Sequence, residues 1–192
     1  MPVVINGTTG VTTAGVTNTG TDDAAIQTYG GVAMPRMVLS TAQNTTSGTS
    51  IDFTSIPNWV KRITVMFNGV STSGTSSVQV QIGAGSVTTT GYVSLASYGT
   101  TAGTFTTSTT GFITDPTNVA LAAVSRIGTM SIVLVGSNIW VESASVYQVT
   151  ANITSACAGN VTLSGTLDRL RLTTVGGTDT FDAGSVNIMY EG

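Results

Sequence analysis

The chain has no histidine at all. That removes the commonest general base and the commonest transition-metal ligand, and with them the Ser-His-Asp and Cys-His nucleophile systems. One cysteine, Cys157, excludes an intrachain disulfide. Its neighbours Ala156 and Ala158 are small and apolar, so a buried, inert thiol is expected, in a fold held by packing alone. Charge is the next shortage. Only 8% of the 192 residues are charged, against a usual ~25%. There is a single lysine, Lys61, and the net charge is −3, so the phosphate-neutralising cations of a nucleic-acid binder are missing. No apolar run approaches the ~18 residues of a membrane-spanning helix, and the N-terminus has neither a basic region nor a long apolar stretch. A secretory leader and membrane insertion are therefore not expected.

Apolar residues nevertheless make up 41% of the chain, enough for a real core. The missing charge is replaced by Thr, Ser, Asn and Gly, in runs such as TTSGTS (45–50). Neutral polar surfaces suit closely packed assemblies, where charge would have to be desolvated. A secreted monomer with a bland surface is the alternative.

Two regions differ in pattern. Residues 1–34 form a Gly-rich arm with few core residues, as in VTTAGVTNTG (11–20). Val3, Val4, Ile5, Val11 and Val16 are too few and too scattered to close a core, so an ordered arm has to lie against another chain. A short helix is expected over residues 21–27, where Thr21, Asp22 and Asp23 supply starting residues. From residue 35 to 192 the apolar period is two, the strand period. In residues 61–68, Ile63, Val65 and Phe67 share one face; in 77–82, Val78, Val80 and Ile82 oppose Ser77, Gln79 and Gln81. The pair reads as a β-hairpin with one buried face. Further strands are expected at 91–97, 111–114, 129–135, 139–143, 146–150, 161–163, 167–173 and 186–190. The fold class is all-β, an antiparallel sandwich, with a jelly roll the first choice of architecture. The expected core is Ile63, Val65, Phe67, Val78, Val80, Ile82, Ile132, Leu134, Leu170, Leu172, Val186 and Ile188.

Chemistry-bearing residues are sparse. Gly83 and Gly85 lack a following lysine and fit a hairpin connection better than a phosphate loop. Asp115 precedes Pro116, a turn pair. Asp179 and Asp182 could hold a cation, but a turn in which their side chains bond the backbone is favoured. Arg169 and Arg171 share a strand face and are expected to pair with acids such as Asp182 or Glu191, on a neighbouring strand or chain. Trp59 and Trp140 read as core caps. Tyr92 and Tyr98 bracket a Gly/Thr-rich region and are candidate ligand contacts, since a sugar ring can stack on an exposed aromatic. No catalytic, metal-binding or cofactor-binding residue is expected, and the chain reads as non-enzymatic.

The runs PNWVKRITVMFNGVS (57–71), LDRLRLTTV (167–175) and GTDTFDAGSVNIMYE (177–191) resemble a C-terminal β-domain of tail fibre and tail-associated proteins of tailed phages, including those of aquatic bacteria and cyanobacteria. The resemblance spans roughly residues 36–192. INGTTGVTT (5–13) is similar to Gly/Thr-repeat arms of phage fibre proteins. What the resemblance implies is a virion component, made in the host cytoplasm. It would be a homotrimer at a tail or fibre tip, held to other virion proteins by the arm and meeting a host surface glycan. A head or baseplate decoration and a stand-alone carbohydrate-binding module remain alternatives.

Overall fold

The computed structural model describes residues 36–99 and 103–192, together with the backbone of 28–29 and 32–33. The chain divides into two units, 1–35 and 36–192. In the first, β1 (Thr28–Tyr29) pairs antiparallel with β2 (Val32–Ala33). The expected helix over 21–27 and the arm residues Val3, Val4, Ile5, Val11 and Val16 lie outside the described residues.

The second unit is built from strands. They are β3 (Met37–Leu39), β4 (Gln43–Asn44), β5 (Ser50–Thr54), β6 (Arg62–Thr72), β7 (Val78–Ala84), β8 (Ser86–Val87) and β9 (Val93–Tyr98). Then follow β10 (Thr104–Ser108), β11 (Phe112–Ile113), β12 (Arg126–Gly136), β13 (Ile139–Gln148), β14 (Ile153–Thr162), β15 (Arg169–Thr174) and β16 (Phe181–Glu191). Among the described residues the only helical element is a 3₁₀ turn, Thr117–Val119. The large sheet runs β10-β9-β14-β13-β12-β6-β16-β3, with β4 also on β16; the small one runs β11-β7-β15-β5, with β8 on β7. Every pairing is antiparallel, and the two sheets pack together as a β-sandwich.

The alternating pattern explains the core. Of the twelve residues expected inside, all are buried except Leu134, which is half-buried and packs on the same cluster. Trp140, Tyr92, Phe112, Phe181 and Met130 join them.

The expected hairpin of residues 61–68 with 77–82 does not form. β6 lies in the large sheet between β12 and β16, whereas β7 lies in the small sheet between β15 and β11. A period of two says which face is buried, not which strand is alongside. Ile63, Val65 and Phe67 are satisfied as well by facing the small sheet as by neighbouring it. Ser77, Gln79 and Gln81 are also not a solvated face. Residues 109–111 close over the two glutamines: Thr110 Oγ1 donates to Gln79 Oε1 (3.0 Å), and Gln81 Nε2 donates to the Thr110 carbonyl (2.8 Å). Gly111 permits this approach, since a Cβ there would stand 2.6 Å from Gln79 Oε1. The segments expected as 139–143 and 146–150 are one strand, β13, and β14 begins well before residue 161. The expected hairpin connection at Gly83–Gly85 is present, with Gly83 opposite Val87 and Gly85 at φ 72°.

Candidate functional surfaces

The inward face of the large sheet carries unexpected charge. Arg126, at the start of β12, is 0% exposed. Its guanidinium grips Asp115 through Nη2–Oδ2 (2.8 Å) and Nε–Oδ1 (3.3 Å), and Nη1 donates to the Val124 carbonyl (3.1 Å). Thr114 Oγ1 donates to Asp115 Oδ1 (2.6 Å). Asp115 therefore anchors a buried ion pair rather than simply marking a turn. On β13, Glu142 is buried and neither carboxylate oxygen has a hydrogen-bond partner. Burial pushes its pKa up to about 8, so it is protonated in neutral solution. Cys157 donates to the Thr114 carbonyl (3.4 Å). Burial, then the nearby Glu142 and Asp115 carboxylates, raise its pKa and hold it as the inert thiol expected. These groups are sealed from solvent. A polymeric substrate has no access to Asp115 or Arg126, so their chemistry is structural.

The outward face of the same sheet is the reverse. β9, β10 and β14 contain no charged residue, and the two on β12 and β13 point inward. The register places Thr129, Ser145, Ala156, Ser97 and Phe105 in one row across the strands. Ser131, Ser143, Ala158 and Leu95 form the next, and Val133, Val141, Asn160 and Val93 the one beyond. Phe105 is 68% exposed and Val135 66% exposed; Ile127, Val133, Ile139, Val141 and Tyr147 are also exposed. Charge appears toward the far side, where Arg62 of β6 meets Glu191 of β16 at 3.2 Å and donates to Ser131 Oγ of β12 (3.3 Å), and where Asp182 stands at the start of β16.

The small sheet behaves conventionally. Leu170, Leu172, Val78, Val80 and Ile82 point inward, while Arg169 and Arg171 point outward. Arg171 forms a two-bond pair with Asp52 of β5 (2.7 and 2.8 Å). Arg169 takes its sequence neighbour Asp168 (2.8 and 3.0 Å) and holds that carboxyl below the usual carboxylate range. The expected partners Asp182 and Glu191 are not used, because β5, not β16, lies beside β15. A groove of about 360 Å³ on this outer side is lined by Ser50, Gln79, Gln81, Thr110, Arg171 and Thr173. A cleft of about 400 Å³, lined by Gln43, Asp52, Phe53, Ile188 and Tyr190, lies between β4 and β5, where Gln43 Nε2 donates to the Asp52 carbonyl (2.8 Å).

The other expected site residues separate. Tyr92 is 1% exposed, stacks edge-on with Phe112 and uses its hydroxyl on the Ile82 backbone. It is a core residue with no face for a ligand, since the apolar ring outweighs its Gly/Thr-rich surroundings. Tyr98 is half-buried, at the end of β9, and accepts from Asn118 Nδ2 (3.2 Å). Trp140 is buried in the core; Trp59 packs on its edge beneath the Arg36 guanidinium, 4.6 Å from the ring centroid. Asp179 Oδ2 accepts the Ser76 N–H (2.8 Å), so it ties its loop to the distant segment before β7 and not to its own turn, and Asp182 is exposed. Among the described residues no three Cys, Asp or Glu side chains gather as a metal site. Sequence reasoning missed Arg126 and Glu142; the only signal was their position at apolar sites of a period-two run.

No family model, no curated protein and no solved structure matches this chain.

Proposed function

We propose that the chain is a non-enzymatic structural subunit of a phage tail or virion fibre, assembled as a homotrimer. The observation that carries this reading is how little charge is left to interact with anything. Arg62, Arg126, Arg169 and Arg171 are each paired within the chain, and half of the large sheet shows no charge outward. Such a surface suits close packing among subunits and gives an electrostatically recruited partner little to hold. The resemblance in residues 36–192 supplies the virion setting and the trimer.

In this reading the N-terminal arm attaches the subunit to other virion proteins. The groove beside Ser50, Thr110 and Arg171 meets a host surface glycan, for which hydroxyls and one guanidinium are suitable hydrogen-bonding partners. The same groove favours a second reading, a stand-alone carbohydrate-binding module; a concentration-independent monomer by light scattering would support that instead. Residues 36–192 carry their own core, so deleting 1–34 should leave the sandwich folded by circular dichroism and abolish incorporation into particles. Normal copy number of the truncated chain in purified virions would remove the arm as the anchor.

A further inference from the structure

We infer that the outward face of β10, β9, β14, β13 and β12 is the surface through which one copy of this chain binds a second copy. The inference rests on the assembly reading above and names the surface.

Three observations converge on it. The first is misplaced polarity. Beside the core residues Met130, Ile132, Trp140 and Val146, β12 and β13 turn Arg126 and Glu142 into the protein, and they turn Val133, Val135, Ile139 and Val141 out of it. A face meant for water has no reason to be built so, because each choice costs free energy in a monomer. The second is area. With strands ~4.8 Å apart and ~3.4 Å per residue, these five strands present on the order of 700 Å². That is close to the ~800 Å² that a partner contributes to a standard stable interface.

The third is shape and charge together. A band of small side chains, Ser143, Ser145, Ala156 and Ala158, runs across β13 and β14 beside the Val133–Val141 ridge. A ridge on one copy thus has a shallow band to seat in on the other. No charge on these five strands repels its own image, and none would select a charged partner of another kind. That favours the chain itself as occupant.

The test is the mass of the intact chain in solution, by sedimentation and light scattering across a concentration series. Wild type should exceed the monomer mass. Ser143→Arg and Ala158→Glu each place a charge at the centre of the band on exposed side chains, and each should weaken association at least tenfold. Mixing the two variants should restore association, an outcome that misfolding could not produce. Ser47→Arg, on an exposed turn ahead of β5 and outside the five strands, should associate as wild type. Oligomers that form equally well with Ser143→Arg and Ala158→Glu would overturn the inference while leaving the assembly reading intact. A monomeric wild type would overturn the inference itself, and incorporation into virions, measured separately, would then decide the broader reading.

Discussion

The two sheets handle charge in opposite ways. The small sheet keeps an apolar inner face and sets Arg169, Arg171 and Asp52 outside, as a sheet with one wet side does. The large sheet, along β12 and β13, sets Arg126 and Glu142 among its core residues inside and leaves Val133, Val135, Ile139 and Val141 outside. The composition of the whole chain cannot reveal this, because both sheets draw on the same few charges. The difference teaches that strand pairing, not composition, decides which face of a sheet carries the charge.

The comparison is sharpened most by breaking the inward pair. Asp115→Ala leaves the Arg126 guanidinium buried without its partner, and loss of one member of a buried pair costs about 3–5 kcal/mol. Thermal unfolding of the variant should start roughly 10 °C lower. Replacing both partners, Asp115→Leu with Arg126→Met, should recover much of the loss, since no charge is then left stranded. An Asp115→Ala protein as stable as wild type would mean that Arg126 finds water, and that the inside of the large sheet is not sealed.

Glu142 tests the same face through pH. Its folded pKa of about 8 lies above the ordinary value of 4.5, so between the two the folded state holds a proton that the unfolded chain has released. The contribution of this group to stability is therefore greatest below about 4.5, falls as pH rises, and levels off above about 8, a loss on the order of a few kcal/mol. Denaturant midpoints should decline from pH 5 to pH 8 in wild type. In Glu142→Gln the decline should be clearly shallower, and at pH 8 the variant should be the more stable protein. Parallel declines in the two proteins would show that Glu142 is not the group responsible.

Much of the sandwich was legible because alternation survives in the sequence. Ile63-Thr64-Val65-Met66-Phe67 and Leu170-Arg171-Leu172 announce a buried face regardless of neighbours. Pairing was not legible, and the expected hairpin failed for that reason: β6 and β7 lie in different sheets although their apolar faces meet. β14 was hidden because Ala156, Cys157 and Ala158 give no contrast between faces. The candidate surface was the least visible part. Val133 and Val141 look like core residues, and Arg126 and Glu142 like surface residues, until the strands on either side are known.

The smallest effect is expected at the outward pair of the small sheet. Arg171 and Asp52 make two good hydrogen bonds, yet both side chains remain more than a third exposed (36% and 39%). Water competes for both groups, so Arg171→Met should change stability by no more than about 1 kcal/mol. Added salt should narrow even that difference. The value of the measurement lies in the contrast with Asp115→Ala, which has similar bond lengths but no solvent. If Arg171→Met proved as damaging as Asp115→Ala, geometry rather than burial would govern the charges of this protein. The opposed polarity of the two sheets would then lose its physical basis, and the bare outer face of the large sheet would have to be explained without it.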